Sequence, residues 1–175
     1  MRLKKGLVEV YTGNGKCKTT AALGLAMRAI GSGLKVYMFQ FLKGRDSGEL
    51  NTARILAPNF VIEQGGSKTL CIGKQRSDKD IRLAQNLFKK ARNIIRKGDY
   101  DVVILDEINM AVHFGLVSIE QVLSLIKEKP EHVELILTGR YVSPEIIKAA
   151  HLVTEMTKIK HPYDEGIGAR KGIDY

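Results

Sequence analysis

The stretch LVEVYTGNGKCKTTAALGLAMRAIG, residues 7–31, constrains this chain more than any other. Residues 7–12 read as a strand. A loop of glycine, asparagine and lysine follows, and 18–33 read as an Ala- and Leu-rich helix closed by glycines. Strand, Gly/Lys loop and helix in that order form the context of a phosphate-binding loop. The glycines let successive backbone N–H groups converge on an anion, and the helix N-terminus adds partial positive charge. Lys16 and Lys18 supply cations, and the Thr19 hydroxyl is placed to reach a magnesium ion. The pattern GxxxxGK[ST], aligned on Lys18 and Thr19, puts Thr12 and Cys17 where it has glycines. The bland alternative is a plain strand-to-helix turn with some glycines.

The rest of the chain repeats the alternation. Strands are expected at 34–41, 60–64, 101–107, 133–139 and 152–156. Between Asp78 and Lys97, the residues Ile81, Ala84, Leu87, Phe88, Ala91, Ile94 and Ile95 recur at three- and four-residue steps, which predicts an amphipathic helix. Residues 119–127 read as another helix, and SPEIIKAA opens one with a Ser cap and Pro in the first turn. Alternating strands and helices imply an α/β fold with right-handed crossovers. The expected architecture is P-loop NTPase-like, a RecA-like three-layer sandwich on a mainly parallel sheet, with residues 1–175 as one domain.

The near-continuous apolar run VVILDE suits a central parallel strand covered on both faces. It ends in Asp106 and Glu107, at the carboxyl end where open α/β sheets place their ligand crevice. A carboxylate there can hold Mg²⁺ directly or through water. The alternative is an acidic pair that caps the following turn.

Lys and Arg total 28 against 19 Asp and Glu, a net charge of +9, which favours an anionic partner such as nucleotide, nucleic acid or acidic membrane. Cys17 and Cys71 have neither disulfide-framework nor zinc spacing, so a reducing cytoplasm is expected. No signal peptide or membrane-spanning stretch is legible. Aromatics make up only 6% of the chain, a poor supply of stacking platforms for single-stranded nucleic acid.

Taken together, GNGKCKTTAALGLAMRAIGSG, FQFLKG at 39–44, SGE at 47–49, VVILDEINMAV at 102–112, LILTGR at 135–140 and KHPYDEGIGARKGIDY at 160–175 resemble the P-loop ATP:corrinoid adenosyltransferases of cobalamin biosynthesis. The resemblance covers nearly the whole chain. It implies that ATP binds in reverse, with its γ-phosphate where the α-phosphate of other P-loop proteins sits. The Co(I) centre of a reduced corrinoid attacks the 5′ carbon, and triphosphate leaves whole. Carried over by motif, Gly13, Asn14, Gly15, Lys16, Cys17, Lys18, Thr19 and Thr20 hold the phosphates. Thr19 and Glu107 hold Mg²⁺, with Asp106 as a further candidate. Cobalt is the nucleophile, so no catalytic acid or base is required. On the corrinoid or ribose side the candidates are Phe41, Lys43, Arg45, Glu49, Arg140 and His161. The family reading allows two partners, an electron-donating reductase such as a flavoprotein and a second copy of the chain.

The pattern departs from the family in three places. Glycine is expected at Cys17, where a Cβ crowds the phosphates and opposes positive φ. A thiol beside lysines at a helix N-terminus also suits redox chemistry. The stretch GGSKTLCIGKQR, 65–76, lacks the aromatics that the resemblance places over the corrinoid. The chain also starts close to its first strand, so the covering N-terminal helix of longer relatives is not expected. His113, His132, His151 and His161 show no paired ligand spacing. Two other functions stay open on the sequence alone: a RecA-like ATPase that binds nucleic acid, and a nucleotide-binding regulator without turnover.

Overall fold

The structure, a computed structural model, describes residues 2–67 and 77–175. The chain alternates β1 (Val8–Thr12), α1 (Lys18–Gly31), β2 (Val36–Phe41), α2 (Gly48–Leu56), β3 (Phe60–Gly65), α3 (Asp78–Lys97), β4 (Val102–Asp106), α4 (Ile108–His113), α5 (Ile119–Glu128), β5 (Glu134–Thr138), α6 (Pro144–Ala149) and β6 (Leu152–Glu155). The six strands form one sheet in the order β3-β2-β4-β5-β1-β6. Every pairing is parallel.

Side-chain parity explains the continuous apolar runs. On β4, Val103 and Leu105 face one core with Phe39, Phe41, Leu135 and Leu137, under α3, α5 and α6. Val102 and Ile104 face the opposite core with Val36, Met38 and Ile136, under α1. A strand buried on both faces has no polar side to display. The three layers are the P-loop NTPase-like arrangement expected from the sequence.

Local signals set the helix limits. The Ser77 hydroxyl accepts from the Asp80 amide at 3.2 Å and caps α3. Gly98, at φ 66°, ends it. Ser118 and Gln121 form a reciprocal capping box on α5. Two helices depart from expectation. The segment around Glu49, for which no helix was expected, belongs to α2, and α4 begins directly after Glu107.

The strand order positions the site. β5 lies between β1, which leads into the glycine-rich loop, and β4, which carries the acidic pair. The carboxyl ends of β1, β5, β4 and β2 therefore line one edge. Along it, Tyr11 is in register with Thr138, and Gln40 with Asp106.

Candidate nucleotide and metal site

Asp106 is the hub of this edge. It is fully buried, which is costly for a carboxylate unless donors surround it. Thr19 Oγ1 donates to Asp106 Oδ1 at 2.8 Å, and Thr138 Oγ1 donates to the same oxygen at 2.7 Å. Lys43 Nζ donates to Asp106 Oδ2 at 2.8 Å, and Gln40 Nε2 approaches it at 3.3 Å. Four donors from three segments of chain thus converge on one carboxylate. Burial disfavours the Lys43 ammonium, but Asp106 beside it outweighs that and raises its pKa.

Glu107 turns away from the strand in the left-handed region, at φ 61°. Its amide donates to Thr138 Oγ1 at 2.9 Å, so one hydroxyl fixes both acidic residues. Burial, and then the charge of Asp106, push the Glu107 carboxyl up, while Lys43, Lys18 and Arg140 pull it down. Two carboxylates and the Thr19 hydroxyl here form a set of hard oxygen donors. A small divalent cation would relieve the repulsion between the acids, so the residues present fit Mg²⁺.

The loop forms the other wall. Lys18 is only 7% exposed, and its Nζ donates to the carbonyls of Gly13 at 2.8 Å and Gly15 at 2.6 Å. Burial lowers its pKa, with Arg140 adding to the effect and Glu107 and Asp106 opposing it. Gly13 adopts φ 94°, and Cys17 φ 88°, the region that favours glycine. The Cys17 side chain is exposed, and Cys17 precedes α1 without a side-chain cap.

The remaining candidates divide. Glu49 accepts from Gln40 Nε2 at 3.0 Å and lies 3.8 Å from Lys43, which ties both residues to the Asp106 hub. Arg140 is exposed after β5, and its charge bears on Lys18 and Glu107. Arg45 is exposed, and its carbonyl accepts from Gln64 Nε2 at 3.1 Å. The Phe41 side chain is fully buried in the α3-side core. His161 Nδ1 accepts from the Tyr163 amide at 3.1 Å, capping the 3₁₀ turn Pro162–Glu165. The expected gap in aromatics over 65–76 lies, for 68–76, outside the described residues. No cluster of three His, Cys, Asp or Glu side chains suited to a metal occurs among the described residues. A divalent cation at this edge would have two carboxylates and a hydroxyl to bind.

Gln40 and Thr138 lie within FQFLKG and LILTGR, yet neither is among the site residues named from the sequence. Their signal is a polar residue near the carboxyl end of an otherwise apolar parallel strand, in FQF and LILTG. Such a residue is buried at a cost unless it has partners at the site.

A parallel sheet that ends in a glycine-lysine loop, with a strand acid bonded to the loop threonine, defines a P-loop nucleotide-binding protein. Residues 4–175 match the family described as ATP:corrinoid adenosyltransferase BtuR/CobO/CobP, and this chain belongs to it. It is 35% identical over 173 residues to the corrinoid adenosyltransferase of Escherichia coli K12, covering 98% of this chain and 87% of that protein. Identity is 34% over 174 residues to the corrinoid adenosyltransferase of Pseudomonas aeruginosa, covering 99% and 86%. It is 35% over 173 residues to the corrinoid adenosyltransferase CobA of Salmonella typhimurium, covering 98% and 87%. No helix among the described residues is long and apolar enough to cross a membrane.

Proposed function

We propose that this chain transfers the 5′-deoxyadenosyl group of ATP to the Co(I) centre of a corrinoid and releases inorganic triphosphate. The observation that carries the reading is the bond from Thr19 to Asp106, which joins loop and acidic strand in a chain of this family. Cobalt supplies the electron pair for the new Co–C bond. The C5′–O bond breaks, and its electron pair leaves with the triphosphate. Charge therefore builds on the departing phosphates, and the protein's task is to receive it. The loop N–H groups other than that of Gly15, which Met156 takes, face that charge with Lys16 and Lys18. Thr19, Glu107 and Asp106 would hold Mg²⁺, which neutralises phosphate charge when bound. Lys43, Glu49, Arg45 and Arg140 are the residues left to meet ribose and corrinoid. Residues 1–175 act as one nucleotide-binding unit in the cytoplasm, served by a separate electron donor that delivers reduced cobalt.

The test is a product analysis. Protein is incubated with ATP, Mg²⁺ and chemically reduced corrinoid. Adenosylcorrinoid and triphosphate in equal amounts are expected. ADP and phosphate, stimulated by DNA, would instead assign a nucleic-acid ATPase.

A further inference from the structure

The closing segment KHPYDEGIGARKGIDY carries much of the family resemblance, yet the chemistry above gives it no task. The structure lays this segment on the phosphate loop. β6 runs beside β1, and the chain continues over residues 13–16. The Gly15 amide donates to the Met156 carbonyl at 2.7 Å. The Lys158 amide donates to Asn14 Oδ1 at 3.0 Å. A Cβ on Gly13 or Gly15 would lie 2.5 or 2.7 Å from the Met156 oxygen, so the approach requires glycine at both positions.

Farther along, the segment returns to the loop. Lys16 Nζ forms an ion pair with Asp174 Oδ1. The other oxygen of Asp174 accepts from the Arg170 amide at 2.8 Å and from Arg170 Nε at 3.1 Å. Asp174 is thus held by its own turn and presented to the loop. Lys16, with the neighbouring Arg170 amide and side chain, holds its carboxyl well below the usual carboxylate range.

This inference rests on the reading that Lys16 serves the phosphates. We propose that Asp174 occupies Lys16 in place of a phosphate, and that bound triphosphate takes Lys16 from Asp174 and frees residues 166–175. The Met156 and Lys158 backbone bonds stay and hold the base of the segment, so release is confined to its far part. Asp174 is then a determinant of triphosphate affinity. Its return to Lys16 accompanies departure of the product.

The test uses the full-length chain, inorganic tripolyphosphate and ATP·Mg²⁺ as probes, and Asp174→Asn with Asp174→Glu as the conservative variant. An exposed ion pair makes a modest competitor, so Asp174→Asn should bind both probes roughly two- to fivefold more tightly than wild type at low salt. The gap should close as salt rises. Asp174→Glu should stay near wild type. Hydrogen exchange in wild type should speed up over 166–175 when tripolyphosphate binds, while 152–158 stays protected. A segment that merely braces the loop gives the opposite sign, with weaker binding in Asp174→Asn. Equal or weaker binding in that variant, or unchanged exchange over 166–175 in a wild type that binds the probe, overturns the proposal and leaves the adenosyltransferase reading intact. A wild type that binds neither probe overturns both.

Discussion

Thr19 Oγ1 donates to Asp106 Oδ1 at 2.8 Å, joining the first residues of α1 to the last residue of β4 across 87 positions of sequence. The bond sets the distance between the phosphate loop and the acidic edge, and so the width of the crevice that receives nucleotide. Asp106 cannot be replaced without releasing Thr19, Thr138, Lys43 and Gln40 together. Asp106→Asn turns one acceptor into a donor against these donors. We expect a loss of ~3 kcal/mol, at the low end for breaking a buried pair because Lys43 keeps a path to water. Chemical denaturation measures it, and ATP binding should fall with it. A loss within about 0.5 kcal/mol, the range of ordinary surface changes, would show that the hub is not structural.

Glu107 should behave differently. Its carboxyl is pushed up by burial and by Asp106, so the folded state takes up a proton more readily than the unfolded chain. Stability from this group is therefore complete below the ordinary glutamate pKa and is lost as pH rises through the raised value. Without metal, Glu107→Gln should melt above wild type at neutral pH, and the two should converge in mild acid. Turnover with ATP, Mg²⁺ and reduced corrinoid should fall about 10- to 100-fold in the same variant. Full activity at saturating Mg²⁺ would remove Glu107 from the metal set.

Cys17 sits at φ 88°, which costs an L residue roughly 1–2 kcal/mol. The backbone already has the form glycine would give it, so its N–H keeps its direction, and the side chain is the remaining obstacle. Cys17→Gly should tighten ATP binding roughly ten- to a hundredfold, as for one recovered hydrogen bond to a charged group. Cys17→Ala separates the causes. It will bind like wild type if the Cβ obstructs, and like the glycine variant if the sulfur does. Equal affinity in all three would mean the loop accommodates a side chain here.

What could be read in the sequence followed from whether its cause was local. The loop, α1 and β4 were legible because each signal is continuous: glycines next to lysines, or apolar residues on both parities of one strand. α4 was not, since six residues following a left-handed glutamate are too short to show a helical period. Phe41 was read as a site residue because FQFLKG matches a motif. Strand parity places it beside Phe39 in the core. The sequence favoured Glu107 as metal ligand over Asp106, whereas the geometry ties both into one network through Thr138. That network depends on β5 lying between β1 and β4, a consequence of crossover order that no stretch of sequence contains. The segment over the loop was hidden for the same reason, since Asp174 meets Lys16 across 158 positions.

Thr138 gives the sharpest test of the shared network. Its hydroxyl accepts from the Glu107 amide at 2.9 Å and donates to Asp106 at 2.7 Å. The residue is fully buried, so water does not replace either bond. Thr138→Val keeps the shape and removes the oxygen. The Glu107 amide loses its acceptor and Asp106 loses a donor, which should cost about 1–3 kcal/mol for a buried group left unmade. The Glu107 amide is also freed from its tie to β5, so the turn that carries its carboxylate loses an anchor. Activity at fixed ATP should therefore drop further than stability accounts for, with a weaker dependence on Mg²⁺. Thr138→Ser retains the oxygen and should recover most of the activity while giving up some packing. If Thr138→Val and Thr138→Ser lose activity equally, the methyl group and not the hydroxyl matters, and the network as described here is wrong.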